Sequence, residues 1–179
     1  MLVIGGGYIG CELAQLFARA EVEVTLVTRS RLLPESEPEI SEALARYLGE
    51  EGVRVHTGLT YRRIRRNGGD ITLDVETDGA GEPLQAEAVL AATGRWPNTD
   101  GLGLADVEVA LGAGGGIQVD DHLRTSNPAI YAAGDVTDRH QFVYMAAYGA
   151  KLVVLNALNG DGYRYDAAAM PMVTFTSTG

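Results

Sequence analysis

The sequence predicts an α/β fold, a Rossmann-like parallel sheet joined to an antiparallel β-meander. Three observations predict it. The first forty residues run strand, glycine turn, helix, strand. From residue 59 the pattern changes to the period-two alternation of hairpins. Residues 88–92 then return to the continuous apolar run of a buried strand.

The 179 residues suit one domain or two small ones. At 46% hydrophobic the composition is that of an ordinary globular protein with a sizeable core. The formal net charge of −10 argues against a nucleic acid or anionic membrane held by bulk electrostatics. No apolar run reaches the roughly 20 residues that a bilayer span requires. A lone cysteine, Cys11, excludes an internal disulfide, a CxxC dithiol and a cysteine-rich zinc site. Met1 leads straight into a strand with no charged leader. The expectation is therefore a cytoplasmic address without a secretory signal.

Each element has its own local reason. Leu2, Val3 and Ile4 form a short apolar run that stops at Gly5-Gly6-Gly7, as a strand buried on both faces does. After Gly10, Leu13, Leu16, Phe17 and Ala20 recur at helical spacing. Val22, Val24, Leu26 and Val27 give a second strand. Pro38 suits the first turn of the next helix, with Ser36 or Glu37 as its cap. Ile40, Leu44, Tyr47 and Leu48 are its expected buried stripe, and the acidic run over 35–42 suits its start through the helix dipole. Gly52 closes it as a left-handed cap, and residues 53–55 make a third parallel strand.

Tyr61, Ile64, Ile71, Leu73 and Val75 alternate around Asn67-Gly68-Gly69-Asp70, a hairpin signal. A second turn falls at Asp78-Gly79-Ala80-Gly81. The strand at 88–92 ends at Thr93-Gly94, and Pro97 prevents Arg95-Trp96-Pro97-Asn98 from continuing it. The glycine-rich stretch 98–116 is expected to cross between domains. Short strands at 117–119 and 130–133 follow, then a long helix from about Met145 to Leu158, ended by Asn159-Gly160-Asp161-Gly162. Val173-Thr174-Phe175 begins a last strand.

Gly5, Gly7 and Gly10 form a G-x-G-x-x-G between a buried strand and an amphipathic helix, the context of a dinucleotide site. Gly5 permits the tight turn, Gly7 leaves room for a pyrophosphate, and Gly10 lets helix and strand pack closely. Amides at the helix N-terminus then face the phosphates. A glycine turn without a ligand is the alternative. At the end of the second strand an NAD site places a carboxylate for the ribose 2′-hydroxyl. Here Val27-Thr28-Arg29-Ser30-Arg31 offers two guanidinium groups instead. Arginine pairs its planar fork with phosphate oxygens, so Arg29 and Arg31 predict NADPH over NADH; a solvated loop with surface arginines is the other reading.

Three motifs now resemble one family. They are Gly5-Gly6-Gly7-Tyr8-Ile9-Gly10-Cys11-Glu12-Leu13-Ala14, Ala92-Thr93-Gly94-Arg95-Trp96-Pro97-Asn98, and Ile130-Tyr131-Ala132-Ala133-Gly134-Asp135. In order and spacing they resemble the FAD-dependent pyridine nucleotide-disulfide oxidoreductases. Within that family Gln141-Phe142-Val143-Tyr144-Met145-Ala146-Ala147 and Arg124-Thr125-Ser126-Asn127 are most similar to the mercuric reductase branch. Residues 32–42 and 170–176 resemble that branch as well.

The resemblance implies an NAD(P)-binding domain at 1–97, the C-terminal part of an FAD-binding domain at 98–163, and the start of a dimerisation domain at 164–179. It implies FAD and NADPH as cofactors. Gly5, Gly6, Gly7, Tyr8, Ile9, Gly10, Gly94 and Arg95 would line the nucleotide sites, with Tyr8 as a gate over the flavin. Glu12 would pair with a lysine that lies upstream of Met1. Gly134 and Asp135 would meet the ribityl chain of FAD. Gln141, Phe142 and Val143 would bind cofactor, the backbone around Val143 and Tyr144, at a helix start, facing the flavin's pyrimidine edge, where positive helix-end potential stabilises the reduced ring.

The resemblance also implies that this chain is an internal fragment. The family's first FAD glycine motif, its redox-active cysteine pair and the terminal cysteines of mercuric reductases are absent from it. The complete protein would be a homodimer that passes hydride from NADPH through FAD and a dithiol to its substrate, Hg(II). The fragment alone would bind NADPH weakly and leave Hg(II) unreduced. A lipoamide dehydrogenase or glutathione reductase relative, or a pure nucleotide-binding module, are the rival readings. Cys11 and Trp96 read as packing residues. His56, His122 and His140 lack ligand spacing and Asp120-Asp121 reads as a turn, so no metal site is expected.

Overall fold

In chain order the strands are β1 (Leu2–Ile4), β2 (Thr25–Val27), β3 (Arg54–His56), β4 (Thr60–Asn67), β5 (Asp70–Thr77), β6 (Ala80–Ala86) and β7 (Val89–Ala91). The helices are α1 (Tyr8–Arg19), α2 (Pro38–Glu50) and α3 (Val143–Asn159). The computed structural model describes residues 1–77 and 79–177. The expected turn residue Asp78 and the terminal Thr178 and Gly179 lie outside the described residues. The chain divides into two units. One takes Met1–Gly94 and the tail from Val173; the other takes Arg95–Met172. Among the described residues no helix is long and apolar enough to cross a membrane.

In the first unit a four-stranded parallel sheet has the order β3-β2-β1-β7, and β4-β5-β6 form a separate antiparallel meander. Val3 pairs with Leu26 on one side and Leu90 on the other. Alternation along β1 explains its uninterrupted apolar run. Val3 packs with Cys11, Ala14, Leu44 and Leu48 of the two helices. Leu2 and Ile4 point the other way, onto Leu59 just before β4 and Leu73 and Val75 of the meander. A fully buried aliphatic side chain contributes about 1.5–3 kcal/mol, so the two packed faces stabilise these three-residue strands more than their ladders do. Pro38 stands in the first turn of α2 as expected, and Gly52 follows that helix at φ +87°.

Several local expectations are corrected by packing. β7 is the sheet edge and is only half-buried, with Ala91 exposed, because no strand among the described residues pairs with its outer side. On α1 the inward stripe is Gly10, Cys11, Ala14 and Gln15, while Leu16 is exposed. Small residues face the sheet because the helix lies so close to it. On α2 Leu44 and Leu48 are buried, but Ser41 replaces Ile40, which is exposed.

In the second unit the stretch 98–116 does not cross between domains; it belongs wholly to this unit and contributes Val109 to a core with Ile117 and Ala132. The expected strands at 117–119 and 130–133 are reduced to isolated bridges, Leu111 with Ile117, Val119 with Thr125, and Arg124 with Tyr131. α3 buries Met145, Gly149, Leu152 and Asn156 along one stripe. Asp120 forms the expected turn, its Oδ1 accepting the amides of His122 (2.8 Å) and Arg124 (3.0 Å). Trp96 is a correction: its ring lies against Gly115 but is 74% exposed. The expected last strand at 173–175 is not formed, because the tail bonds to side chains of α1 instead of to a strand.

Candidate functional site

The β1–α1 turn separates its glycines by what surrounds them. Gly5 has φ +119°, and a Cβ there would lie 2.1 Å from the Ala92 carbonyl oxygen. A Cβ on Gly10 would lie 1.9 Å from the Gly5 carbonyl oxygen. Gly6 is buried, its Cβ position meeting Thr28 and Leu32, so it is a packing glycine. A Cβ on Gly7 would meet no atom of the other described residues within 4 Å. The turn is thus tight on its protein side and open at one glycine on the other. Gly7 is the N-cap of α1 and no side chain caps it. The first bond of the helix runs from the Cys11 amide to the Gly7 carbonyl (3.0 Å). A helix leaves its leading amides outside its own ladder, and its dipole favours an anion there. This open end fits the phosphates of a dinucleotide, with Ile9 exposed beside it.

At the end of β2 the Arg29 side chain is exposed. Arg31 is engaged as a loop brace, one Nη2 donating to the Pro34 carbonyl (2.8 Å) and the Ser36 carbonyl (2.7 Å). The loop before β4 is tied to the same segment, the Leu59 amide donating to Thr28 (3.1 Å) and the Gly58 amide to Ser30 (3.3 Å). Gly94 closes the unit at φ +111° with open space around it. Tyr8 packs half-buried against the helix-side core. Cys11 is fully buried, and its thiol donates to the Gly6 carbonyl at 3.6 Å. Burial, with the Glu12 carboxylate adding, pushes this thiol up to about 12. A thiolate is the reactive form, so Cys11 is a packing residue and inert. Glu12 accepts the Phe175 amide at 2.9 Å on Oε1.

In the second unit the structure brings Arg95, Gly134, Asp135 and Gln141 to Val143 into one neighbourhood. Arg95 lies 3.7 Å from the Asp135 carboxylate. Asp135 opens a short 3-10 turn, and a Cβ on Gly134 would lie 3.1 Å from the Ala146 Cβ, so the turn rests on α3. Gln141 donates weakly to Asp138 (3.4 Å). Phe142 is the N-cap of α3, stacked on Tyr144 with centroids 5.3 Å apart, and its phenyl ring makes no capping hydrogen bond. Val143 is 84% exposed beside that helix end. An uncapped helix start with an apolar shelf suits a planar ring that takes up negative charge.

Sequence reasoning missed two buried amides. Asn156 is 1% exposed; its Nδ2 donates to the carbonyls of His122 (2.9 Å) and Tyr163 (2.8 Å), and its Oδ1 accepts the Tyr163 amide (3.0 Å). Gln15, 4% exposed, binds the tail. A polar residue on the inward stripe of each helix was the available signal.

The fold and the open glycine turn define the dinucleotide-binding class of α/β domains. The chain belongs to the pyridine nucleotide-disulphide oxidoreductase family, whose model matches residues 1–150. It is 48% identical to the mercuric reductase of Streptomyces lividans over 177 residues, 99% of this chain and 37% of that protein. It is 47% identical to the mercuric reductase of Bacillus cereus over 178 residues, 99% of this chain and 28% of that protein. The crystal structure of LpdA from Mycobacterium tuberculosis superposes with a TM-score of 0.88 at 28% identity, over 98% of this chain and 38% of that one. The chain therefore spans about a third of the length of the proteins it matches. The family implies FAD and a nicotinamide cofactor.

Proposed function

We propose that this chain is the nicotinamide-nucleotide cradle, with part of the flavin wall, of an NADPH-dependent flavoprotein that reduces Hg(II). The observation that carries the cradle is the turn at Gly5, Gly7 and Gly10, packed where the protein needs it and open at Gly7. Gly5 to Gly10 would hold the pyrophosphate, and Arg29 the 2′-phosphate, with Arg31 shaping that loop. Tyr8 and Glu12 stand at the nicotinamide end. Arg95, Gly134, Asp135 and the start of α3 at Gln141, Phe142 and Val143 are assigned to the flavin. The bound cofactors supply the hydride chemistry; these residues bind, orient and screen them.

Hg(II) as substrate rests on the likeness to mercuric reductases over 99% of the chain. Cys11 is unfit to pass electrons, since its thiol stays protonated. The reaction therefore needs a thiol pair from the rest of the complete protein. We assign the nucleotide domain to residues 1–97, the flavin domain to 98–163 and the opening of a dimerisation domain to 164–179, the complete protein being a homodimer.

The test has two parts. With the complete protein, NADPH oxidation should depend on added Hg(II). Oxidation driven instead by glutathione disulfide or by lipoamide would replace the substrate assignment. With this chain, NADPH should bind more tightly than NADH, and Arg29→Ala should remove the difference. Equal affinity of the parent chain for both nucleotides would sink the 2′-phosphate role.

A further inference from the structure

We propose that Gln15 is a positioning residue. It clamps the backbone of Ser177 so that the Phe175 amide holds the Glu12 carboxylate in one orientation. The proposal rests on the reading above that Glu12 stands at the nicotinamide end.

α1 carries Glu12, Gln15 and Arg19 at spacings that share one helix face. Gln15 treats Ser177 as a neighbouring strand would. Its Oε1 accepts the Ser177 amide (3.0 Å) and its Nε2 donates to the Ser177 carbonyl (2.7 Å). The same Nε2 donates to Glu51 (2.9 Å), which leaves the amide one orientation. Arg19 adds bonds to the Ser177 hydroxyl (2.7 Å) and carbonyl (2.8 Å), and Glu51 holds that guanidinium through both its oxygens, at 2.7 and 2.6 Å.

Two residues back lies Phe175, at the centre of a turn closed by the Thr176 amide on the Thr174 carbonyl (2.8 Å). There the Phe175 amide donates to Glu12 Oε1 at 2.9 Å. Apolar burial does not hold this tail: Phe175 is 80% exposed and Val173 48%. The polar clamp sets its register. A glutamate free on a helix surface samples several rotamers, whereas one that accepts a fixed amide keeps its charge in one place. The oxidised nicotinamide ring is a cation and the reduced ring is neutral. A carboxylate held near the ring therefore favours the oxidised nucleotide over the reduced one.

The experiment measures dissociation constants of NADP+ and NADPH by calorimetry, and amide exchange of Phe175 by NMR. Variants are Glu12→Gln, Gln15→Leu and the tail change Ser177→Pro, which removes the clamped amide without touching α1. Glu12→Gln should shift the NADP+ to NADPH affinity ratio about fivefold, the scale of a solvent-exposed charge interaction. Gln15→Leu and Ser177→Pro should reproduce most of that shift and speed Phe175 exchange by about tenfold, the scale of one hydrogen bond to a charged group. Gln15→Leu added to Glu12→Gln should shift the ratio no further. A clamp that merely braces the fold would speed exchange and weaken both nucleotides equally; that result overturns the positioning role. A ratio unmoved by Glu12→Gln refutes the placement of Glu12, and the positioning role falls with it.

Discussion

Replacing Gly10 by alanine should separate a packing glycine from a binding one, with Gly7→Ala as its counterpart. A Cβ at Gly10 would sit 1.9 Å from the Gly5 carbonyl oxygen, where real contacts do not fall below 3.0 Å. Helix α1 must therefore retreat by about 3.0 − 1.9 = 1.1 Å. A gap of 0.5–1 Å already forfeits about a quarter to a half of a dispersion well. Cys11 and Ala14, both at 0% exposure, would lose that contact with the core around Val3. The expected cost is about 2–3 kcal/mol, or a fall in melting temperature of roughly 4–12 °C for a chain of this size. Gly7 is different: its φ is −81° and a Cβ there would meet no other described residue within 4 Å, so alanine fits. Its stability should change by about 1 kcal/mol or less, while NADPH affinity should fall by about tenfold or more because the Cβ fills the phosphate approach. Thermal unfolding by circular dichroism and a nucleotide fluorescence titration read the two effects. The reasoning fails if Gly10→Ala melts within a degree of the parent, or if Gly7→Ala binds NADPH unchanged.

Asn156→Ala should strip partners from the carbonyls of His122 and Tyr163 and from the Tyr163 amide. At about 1 kcal/mol for each lost hydrogen bond, the second unit should lose about 3 kcal/mol, measurable by urea unfolding; a loss below one third of that would refute the accounting. The Cys11 thiol ionises at its ordinary value of 9.0 when unfolded and at about 12 when folded. The folded state therefore keeps a proton that the unfolded state releases between these values. Stability contributed by this group is complete below pH 9 and declines as pH rises toward 12, with a slope of up to about 1.4 kcal/mol per pH unit. Cys11→Ala should flatten the decline in a urea-midpoint profile, and an identical slope in both proteins would rule the thiol out as its source.

How far the sequence can be read depends on how far apart the interacting residues lie. The strand at 2–4, the glycine turn and the two helices that follow it come from neighbours: an apolar run, a G-x-G-x-x-G, helical spacing and Pro38. Burial is harder. Val89 and Leu90 look like a central strand, yet β7 is an edge, since only pairing decides which strand has an outer side. Leu16 matches the periodic stripe on α1, but the sheet is so close that Gly10, Cys11 and Ala14 take the inward face. Residues 117–119 and 130–133 have strand composition without enough partners to form more than bridges. Arg31 is a plausible phosphate ligand by position, whereas the loop bends so that it braces Pro34 and Ser36.

The sequence by itself determined the α/β class, the place of the open turn and the family, because each rests on short runs and motifs whose residues are neighbours in the chain, Gly5 to Ala14, Ala92 to Asn98 and Ile130 to Asp135 among them. Tertiary structure put distances on the roles that the motif assigns to its glycines: a Cβ would lie 2.1 Å from the Ala92 carbonyl oxygen at Gly5 and 1.9 Å from the Gly5 carbonyl oxygen at Gly10, whereas one at Gly7 would meet no described atom within 4 Å. It alone joined Gln15 to Ser177 across 162 residues. A hydrogen bond of that separation leaves no local trace: neither residue's propensity nor its neighbours' periodicity depends on the partner, and only the folded chain brings the two within 3 Å.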